Sequence, residues 1–184
     1  GESLARGELV MQGYGGKPAE AEKVLKGGWL HTGDIGEIDA RGRIRITDRK
    51  KDLIVNDKGD NVSPQKVEGM LTLQPEIGQA MVHGDRRPYL VGLVVPDAEW
   101  THEWAEHQGV PMDAVGALPA YQAALRAAVN RVNDDLSVIE RVRRFILADE
   151  PFAIDNEELT PSMKIRRHII RKRYADRLDA LYKN

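Results

Sequence analysis

The sequence contains no cysteine among its 184 residues. This absence excludes disulfide frameworks, cysteine-ligated zinc sites and thiol nucleophiles. It suits a reducing compartment, and we expect the protein in the cytoplasm. Apolar runs as long as the roughly 18 residues of a membrane span are missing as well. We therefore expect no membrane anchor, while peripheral contact with a membrane stays open.

Aromatic residues and an excess of charge are also lacking. Phe, Trp and Tyr make up 5% of the chain, which gives little support to recognition of single-stranded nucleic acid by stacking. The 27 lysines and arginines nearly balance 29 aspartates and glutamates, for a net charge of -2. A chain built wholly to coat nucleic acid would be strongly basic. With 41% hydrophobic and 30% charged residues, the composition is that of an ordinary globular protein.

The first 48 residues have the pattern of short strands and turns. Isoleucines and arginines alternate over residues 43–46, which predicts one arm of a hairpin that turns at residues 40–42. This segment cannot close a core by itself, so we expect residues 1–48 to be the β-rich end of a larger domain. The chain is then expected to begin partway through a longer protein. A charged run at 48–52 lies between two apolar strands, and we place a domain boundary there.

Helices alternate with strands beyond that boundary. We predict strands over 80–82, 90–95 and 145–147, and helices after Ser63, after Asp97, over 121–136 and over 165–181. Ser63 can cap its helix and Pro64 suits the first helical turn, while apolar residues recur at helical spacing over 121–136. This order of elements predicts an α+β fold for residues 49–184, with helices packed on a small mixed sheet.

Asp34 directly follows Thr32 and Gly33, which we expect to form a tight turn. A carboxylate at this place can accept two hydrogen bonds from vicinal hydroxyls, such as those of a ribose. The charged run at 48–52 adds Arg49 and Lys51. Taken singly, Asp34 is also typical of an ordinary turn, and the charged run at 48–52 is typical of a solvated turn.

Lys164 lies on a polar loop just before the final predicted helix rather than on the helix face. A flexible ammonium group at such a place can be inserted where negative charge develops and then withdrawn. Taken alone, a lysine there is most often a surface residue. The helix that follows is basic and could hold the phosphates of a nucleic acid or of a cofactor, although a solvated helix face is the simpler interpretation. Its cations are Arg166, Arg167, Arg171, Lys172, Arg173 and Arg177.

Five stretches, taken together and in this order, resemble the adenylate-forming superfamily of acyl-CoA synthetases, luciferases and peptide-synthetase adenylation domains. The stretches are GELVMQGY at 7–14, WLHTGD at 29–34, DRKKDLI at 48–54, GDNVSP at 59–64 and LTPSMK at 159–164. The resemblance covers essentially the whole chain, and the last three stretches are most similar to the long-chain fatty acid–CoA ligases. Asn61 stands where many relatives outside that branch carry arginine.

The resemblance implies a two-step reaction. A fatty acid is activated with ATP and Mg2+ to an acyl-adenylate, and the acyl group then passes to the thiol of coenzyme A. Asp34 would hold the ribose hydroxyls, and Arg49 would approach the same ribose and its phosphate. Lys51 matches a hinge position, and Gly59 lies in the loop that enters the site for thioester formation. Lys164 matches the catalytic lysine that bridges the substrate carboxylate and the α-phosphate.

The same resemblance implies that other parts of the enzyme precede residue 1, namely the phosphate loop, the acyl pocket, the adenine-binding segment and the Mg2+ site. Residues 1–48 would end the large N-terminal domain, and residues 49–184 would form a mobile lid with a hinge near 48–52. We therefore expect the N-terminal domain as partner, no metal site and no nucleic-acid partner for this chain, and no turnover by it alone. The alternative within the superfamily is a fatty acyl-AMP ligase that hands the adenylate to a carrier protein. The alternative outside the superfamily is a phosphate or nucleic-acid binding module that uses the final basic helix. In the coenzyme A ligase this helix, with Arg166 and Arg167, would be a candidate for binding the 3′-phosphate of coenzyme A.

Overall fold

Residues 1–183 are described by a computed structural model, in which they form two units, Gly1–Leu53 and the residues from Ile54 onward. The first unit is built around one long strand that pairs antiparallel with the other three. Its elements are β1 (Glu2–Ala5), α1 (Pro18–Val24), β2 (Leu25–Lys26), β3 (Trp29–Ile38) and β4 (Ile44–Arg49). The predicted hairpin is confirmed, because β3 and β4 pair across a turn in which the Gly42 N–H donates to the Asp39 carbonyl at 2.9 Å.

The expected turn at Thr32 and Gly33 is wrong, because both residues lie inside β3. Gly33 has a φ of +73°, a left-handed conformation that glycine adopts without a steric penalty. Its carbonyl accepts the Lys50 N–H at 2.8 Å. Since β3 pairs with β1 at residues on either side of Gly33, the irregularity shifts the register of this pairing and does not reverse the chain.

The second unit contains a three-stranded sheet in the order β7-β8-β9, antiparallel between β7 and β8 and parallel between β8 and β9. The α+β prediction with a small mixed sheet is therefore confirmed. The elements are β5 (Ile54–Val55), β6 (Asn61–Val62), α2 (Pro64–Leu71), β7 (Ile77–His83), β8 (Leu90–Pro96), α3 (Ala98–Gln108), α4 (Met112–Val115), α5 (Pro119–Asp134), β9 (Val142–Leu147), α6 (Arg167–Arg173) and α7 (Ala175–Ala180).

Both faces of this sheet are buried by helices. Along β7, Ala80 and Val82 point to a core shared with α2 and α5, whereas Met81 points to a core shared with α6 and α7. This alternation follows from the period of two in a strand. Because each fully buried Val, Leu or Met side chain contributes about 1.5–3 kcal/mol, the sheet and its helices form a rigid base for the loops that leave them.

The start of α2 agrees with its sequence signals, whereas the helix predicted at the C-terminal end is interrupted in the structure. Ser63 Oγ accepts the Lys66 N–H at 3.2 Å at the start of α2. The single helix predicted over 165–181 is wrong, because it begins at Arg167 and breaks at Tyr174. The Tyr174 ring is buried and its hydroxyl accepts the Asp149 N–H at 3.0 Å, so a core contact outweighs the helical spacing there.

Candidate active site

Asp34 and Arg49 face each other across β3 and β4 as direct Cα partners. The Arg49 Nε lies 2.7 Å from Asp34 Oδ1. Thr32 orients this strand segment, because its hydroxyl donates to the Ser3 carbonyl at 2.8 Å and accepts the Asp34 N–H at 3.0 Å. The Asp34 side chain is 28% exposed. Since a carboxylate offers about four acceptor positions, Asp34 can bind the hydroxyls of a ligand while it remains paired with Arg49.

Lys51 lies in the tight turn that follows β4. The N–H groups of Asp52 and Leu53 both donate to the Arg49 carbonyl, at 2.9 and 3.2 Å. Lys51 itself is exposed at the tip of this turn. Asp34, Arg49 and Lys51 thus all belong to the first unit.

Gly59 lies in the second unit, on a short loop between β5 and β6. Its φ is +88°, which favours glycine over residues that carry a Cβ. Asn56 organises the loop through its side-chain oxygen, which accepts the N–H groups of Lys58 at 2.9 Å and Asp60 at 2.8 Å. Its amide nitrogen donates to Asp60 Oδ2 at 3.0 Å. Asn56 therefore supports the backbone around Gly59, a role that the sequence reasoning missed although Asn is a common loop-forming residue.

Lys164 is exposed on a loop that is closed by its own hydrogen bonds. The Thr160 N–H donates to the Lys164 carbonyl at 2.8 Å, and Thr160 Oγ1 accepts the Lys164 N–H at 3.1 Å. Leu159 and Ile165 form an antiparallel bridge below this pair. The lysine backbone is therefore fixed, while its long side chain extends from the loop.

A buried carboxylate lies at the base of the Lys164 loop. Glu158 has no exposed surface, and its Oε1 is 3.2 Å from an Arg173 guanidinium nitrogen that also contacts Glu150. Within residues 1–183 its Oε2 has no hydrogen-bond partner. Burial raises the pKa of the Glu158 carboxyl, and the Arg173 charge only partly opposes this shift. Local sequence patterns did not single out Glu158.

Three of the six basic residues singled out at the C-terminal end form internal ion pairs. Arg167 pairs with Glu68 at 2.5 Å and Arg177 pairs with Asp149 at 2.7 Å. Arg173 is shared between two glutamates as described above. Half of the six cations singled out in the sequence thus neutralise carboxylates of the same unit, which counts against a continuous phosphate-binding helix. Arg167 in particular is engaged by Glu68 rather than held ready for a phosphate.

The structure therefore brings Asp34 and Arg49 together in one unit, whereas Gly59 and Lys164 stand on two separate loops of the other. In the described part of the chain, histidines and carboxylates do not gather into a group of three or more that could hold a metal ion. Among the helices of residues 1–183, none is long and apolar enough to cross a membrane.

The comparisons with known proteins agree with the motifs. Residues 51–184 match the family model of the AMP-binding enzyme C-terminal domain. The long-chain-fatty-acid–CoA ligase FadD15 of Mycobacterium tuberculosis is 36% identical over 186 residues, which are 99% of this chain and 31% of that protein. The long-chain-fatty-acid–CoA ligase 1 of Homo sapiens is 35% identical over 188 residues, which are 99% of this chain and 27% of that protein. The chain thus spans a third or less of the length of these curated relatives.

Solved structures give the same result for the fold. The adenylation domain of the carboxylic acid reductase from Segniliparus rugosus, in complex with AMP and a co-purified carboxylic acid, has a TM-score of 0.81 and 28% identity. The match covers 99% of this chain and 28% of that one. The adenylation domain of a carboxylate reductase from Mycobacterium chelonae also has a TM-score of 0.81, at 26% identity, and covers 100% of this chain and 28% of that one.

Proposed function

The chain belongs to the AMP-binding enzyme family, whose C-terminal domain it contains, and from this membership we propose that it is the C-terminal part of a long-chain fatty acid–CoA ligase. The identity of 35–36% to two long-chain-fatty-acid–CoA ligases over 99% of the chain supports this branch. The observation that carries the chemistry is the exposed Lys164 on a loop whose backbone is fixed.

In the first step, a carboxylate oxygen of the fatty acid attacks the α-phosphorus of ATP, and the bond to the pyrophosphate leaving group breaks. Lys164 would stabilise the negative charge that this attack concentrates between the carboxylate and the α-phosphate. Asp34 would accept the ribose hydroxyls, and Arg49 would lie beside the ribose and its phosphate. Mg2+ would be held by residues of the N-terminal domain other than residues 1–48.

In the second step, the sulfur of coenzyme A attacks the acyl carbon, the thiol proton is lost, and AMP leaves. The loop at Gly59 would line the path of the thiol, since a backbone without a side chain permits close approach. The residues after the boundary at 48–52 would rotate about Lys51 as a lid, so that Lys164 and Gly59 serve the site in turn.

The test is a pair of half-reactions on the full-length enzyme that carries this chain. With fatty acid and ATP as substrates, the release of pyrophosphate measures adenylation. With presynthesised acyl-adenylate and coenzyme A as substrates, the product formed measures thioester formation. Lys164→Ala is expected to slow adenylation about 10²–10³-fold and to leave thioester formation intact. Equal rates for the variant and wild type in both halves would refute the proposed role of Lys164. Absence of coenzyme A consumption by the wild type would favour the acyl-AMP ligase instead.

A further inference from the structure

Glu68 and Arg167, which are 99 residues apart in sequence, form a partly buried, two-pronged ion pair in which the Arg167 side chain is 26% exposed. The two terminal guanidinium nitrogens of Arg167 contact Oε1 and Oε2 of Glu68, each at 2.5 Å. Glu68 Oε1 also accepts the Val82 N–H at 2.8 Å. The Glu68 side chain is 9% exposed. A planar fork that meets a carboxylate in this way fixes the orientation of both groups as well as their distance.

The glutamate end of the pair is attached to the rigid core. Glu68 lies in the middle of α2, between Val67 and Leu71, whose side chains have no exposed surface. Its bond to Val82 ties the carboxylate to β7, a strand that is buried on both faces. The position of the carboxylate is therefore set by the helix and the sheet together, independently of Arg167.

The arginine end is attached to the Lys164 loop. Arg167 is the first residue of α6 and follows Lys164 by three positions. Arg166, between them, donates its N–H to the Glu158 carbonyl at 2.8 Å and so closes the loop. Since these hydrogen bonds hold the loop together, a displacement of Arg167 would shift the loop as a whole and carry the Lys164 backbone with it.

We propose that Glu68 and Arg167 are positioning residues, which transfer the rigidity of α2 and β7 to the loop that carries Lys164. In this role neither Glu68 nor Arg167 contacts a substrate. The inference rests on the function proposed above, because it concerns the step in which Lys164 acts. It implies that loosening the pair slows adenylation, whereas the loop at Gly59, which joins β5 to β6, keeps its conformation.

A purely stabilising role explains this pair less well. Replacement of a buried ion pair by apolar side chains is often neutral or stabilising, because desolvation cancels the Coulomb attraction. In this partly buried pair the fork fixes the relative orientation of the two groups, and a fixed orientation matters most where a reacting group must be held in place. A displacement of about 1 Å can cost on the order of 10²-fold in rate.

The test uses Arg167→Lys in the full-length enzyme, because lysine keeps the charge and loses the fork. Adenylation at saturating substrates is expected to slow about 10- to 100-fold, with the KM for ATP and the rate of thioester formation little changed. Arg131→Lys is the control for the loss of an arginine–glutamate contact elsewhere in the unit: one terminal nitrogen of Arg131 contacts both oxygens of Glu76 at 2.7 Å, Arg131 is half exposed, and the pair lies on α5 and before β7. The control should keep the wild-type rate in both half-reactions. Glu68→Gln, which keeps the shape and an acceptor for Val82, serves if the arginine variant does not fold.

A double-mutant cycle separates positioning from general destabilisation. If Arg167 acts through Lys164, adding Arg167→Lys to Lys164→Ala should change the remaining adenylation rate by no more than about twofold. The positioning role would be overturned if the adenylation rate of the double variant fell by the product of the two single-variant factors. It would also be overturned if Arg167→Lys alone left the adenylation rate unchanged. If Lys164→Ala itself adenylates normally, the proposed function fails, and this outcome is distinct from the other two.

Discussion

Arg49 holds Asp34 from the neighbouring strand, with its Nε 2.7 Å from the Asp34 carboxylate. The register of the β3–β4 hairpin places the two residues directly opposite each other. The two side chains proposed to contact the ribose therefore form one preorganised unit, since Thr32 also fixes the Asp34 backbone through its hydroxyl. A ligand diol would add to this pair without breaking it.

Asp34→Ala should therefore weaken ATP binding in the full-length enzyme. A hydrogen bond to a charged group contributes about 1.5–3 kcal/mol, which corresponds to a KM for ATP raised about 10- to 100-fold. Glu37→Ala, at an exposed position of the same strand, is the control and should keep the wild-type KM. Pyrophosphate release at varied ATP measures both values. An unchanged KM for Asp34→Ala would remove this residue from the ribose site.

Local patterns in the sequence predicted the start of α2 and the β3–β4 hairpin. Ser63 and Pro64 predicted the start of α2, and the alternation around Ile44 and Ile46 predicted the hairpin that pairs Asp34 with Arg49. Local patterns failed at Tyr174, where a core contact interrupts the helix. They also could not predict the pairing of Glu68 with Arg167, because no spacing rule connects two residues 99 positions apart. Contacts of this kind depend on how the helices pack on the sheet.

Gly59→Ala should impair thioester formation more than adenylation. An added Cβ meets nothing within 4 Å, so the substitution acts only through the φ of +88°. A non-glycine residue in such a conformation costs about 1–3 kcal/mol, and the loop is expected to change its conformation to avoid this cost.

Gly69→Ala is the control, because Gly69 lies inside α2 with open space around it. That change should raise the free energy of unfolding by about 0.5–1 kcal/mol without affecting either half-reaction. Equal effects of Gly59→Ala on the two half-reactions would contradict the proposed role of the loop.

Glu158→Gln should flatten the pH dependence of stability. Burial raises the pKa of Glu158 in the folded chain above the ordinary value of 4.5, so the folded state binds this proton more tightly than the unfolded state does. The free energy of unfolding of the wild type should then fall as the pH rises from about 4.5 through the raised pKa. Glu158→Gln lacks this loss of stability. Its free energy of unfolding relative to the wild type should therefore increase over the same pH range and then stay constant.

Denaturant unfolding of the chain at several pH values measures the difference for Glu158→Gln. Glu157→Gln, at the exposed neighbouring position, should run parallel to the wild type. A variant that becomes less stable than the wild type as the pH rises would show that the Arg173 pairing outweighs the cost of burial.

Lys51→Pro should separate the two half-reactions if the residues that follow Lys51 rotate about this position. Lys51 is exposed in the turn after β4, where the neighbouring Asp52 and Leu53 supply the hydrogen bonds to Arg49. Proline fixes φ near -65° and restricts the conformation of the preceding residue. One lid orientation should then be favoured, so that one half-reaction is slowed at least about tenfold relative to the other. Lys51→Ala, which removes the charge and leaves the backbone free to rotate, should keep the ratio of the two rates near that of the wild type. If the proline and alanine variants behave alike, the hinge does not lie at Lys51 and the lid must rotate about another residue of the 48–52 run.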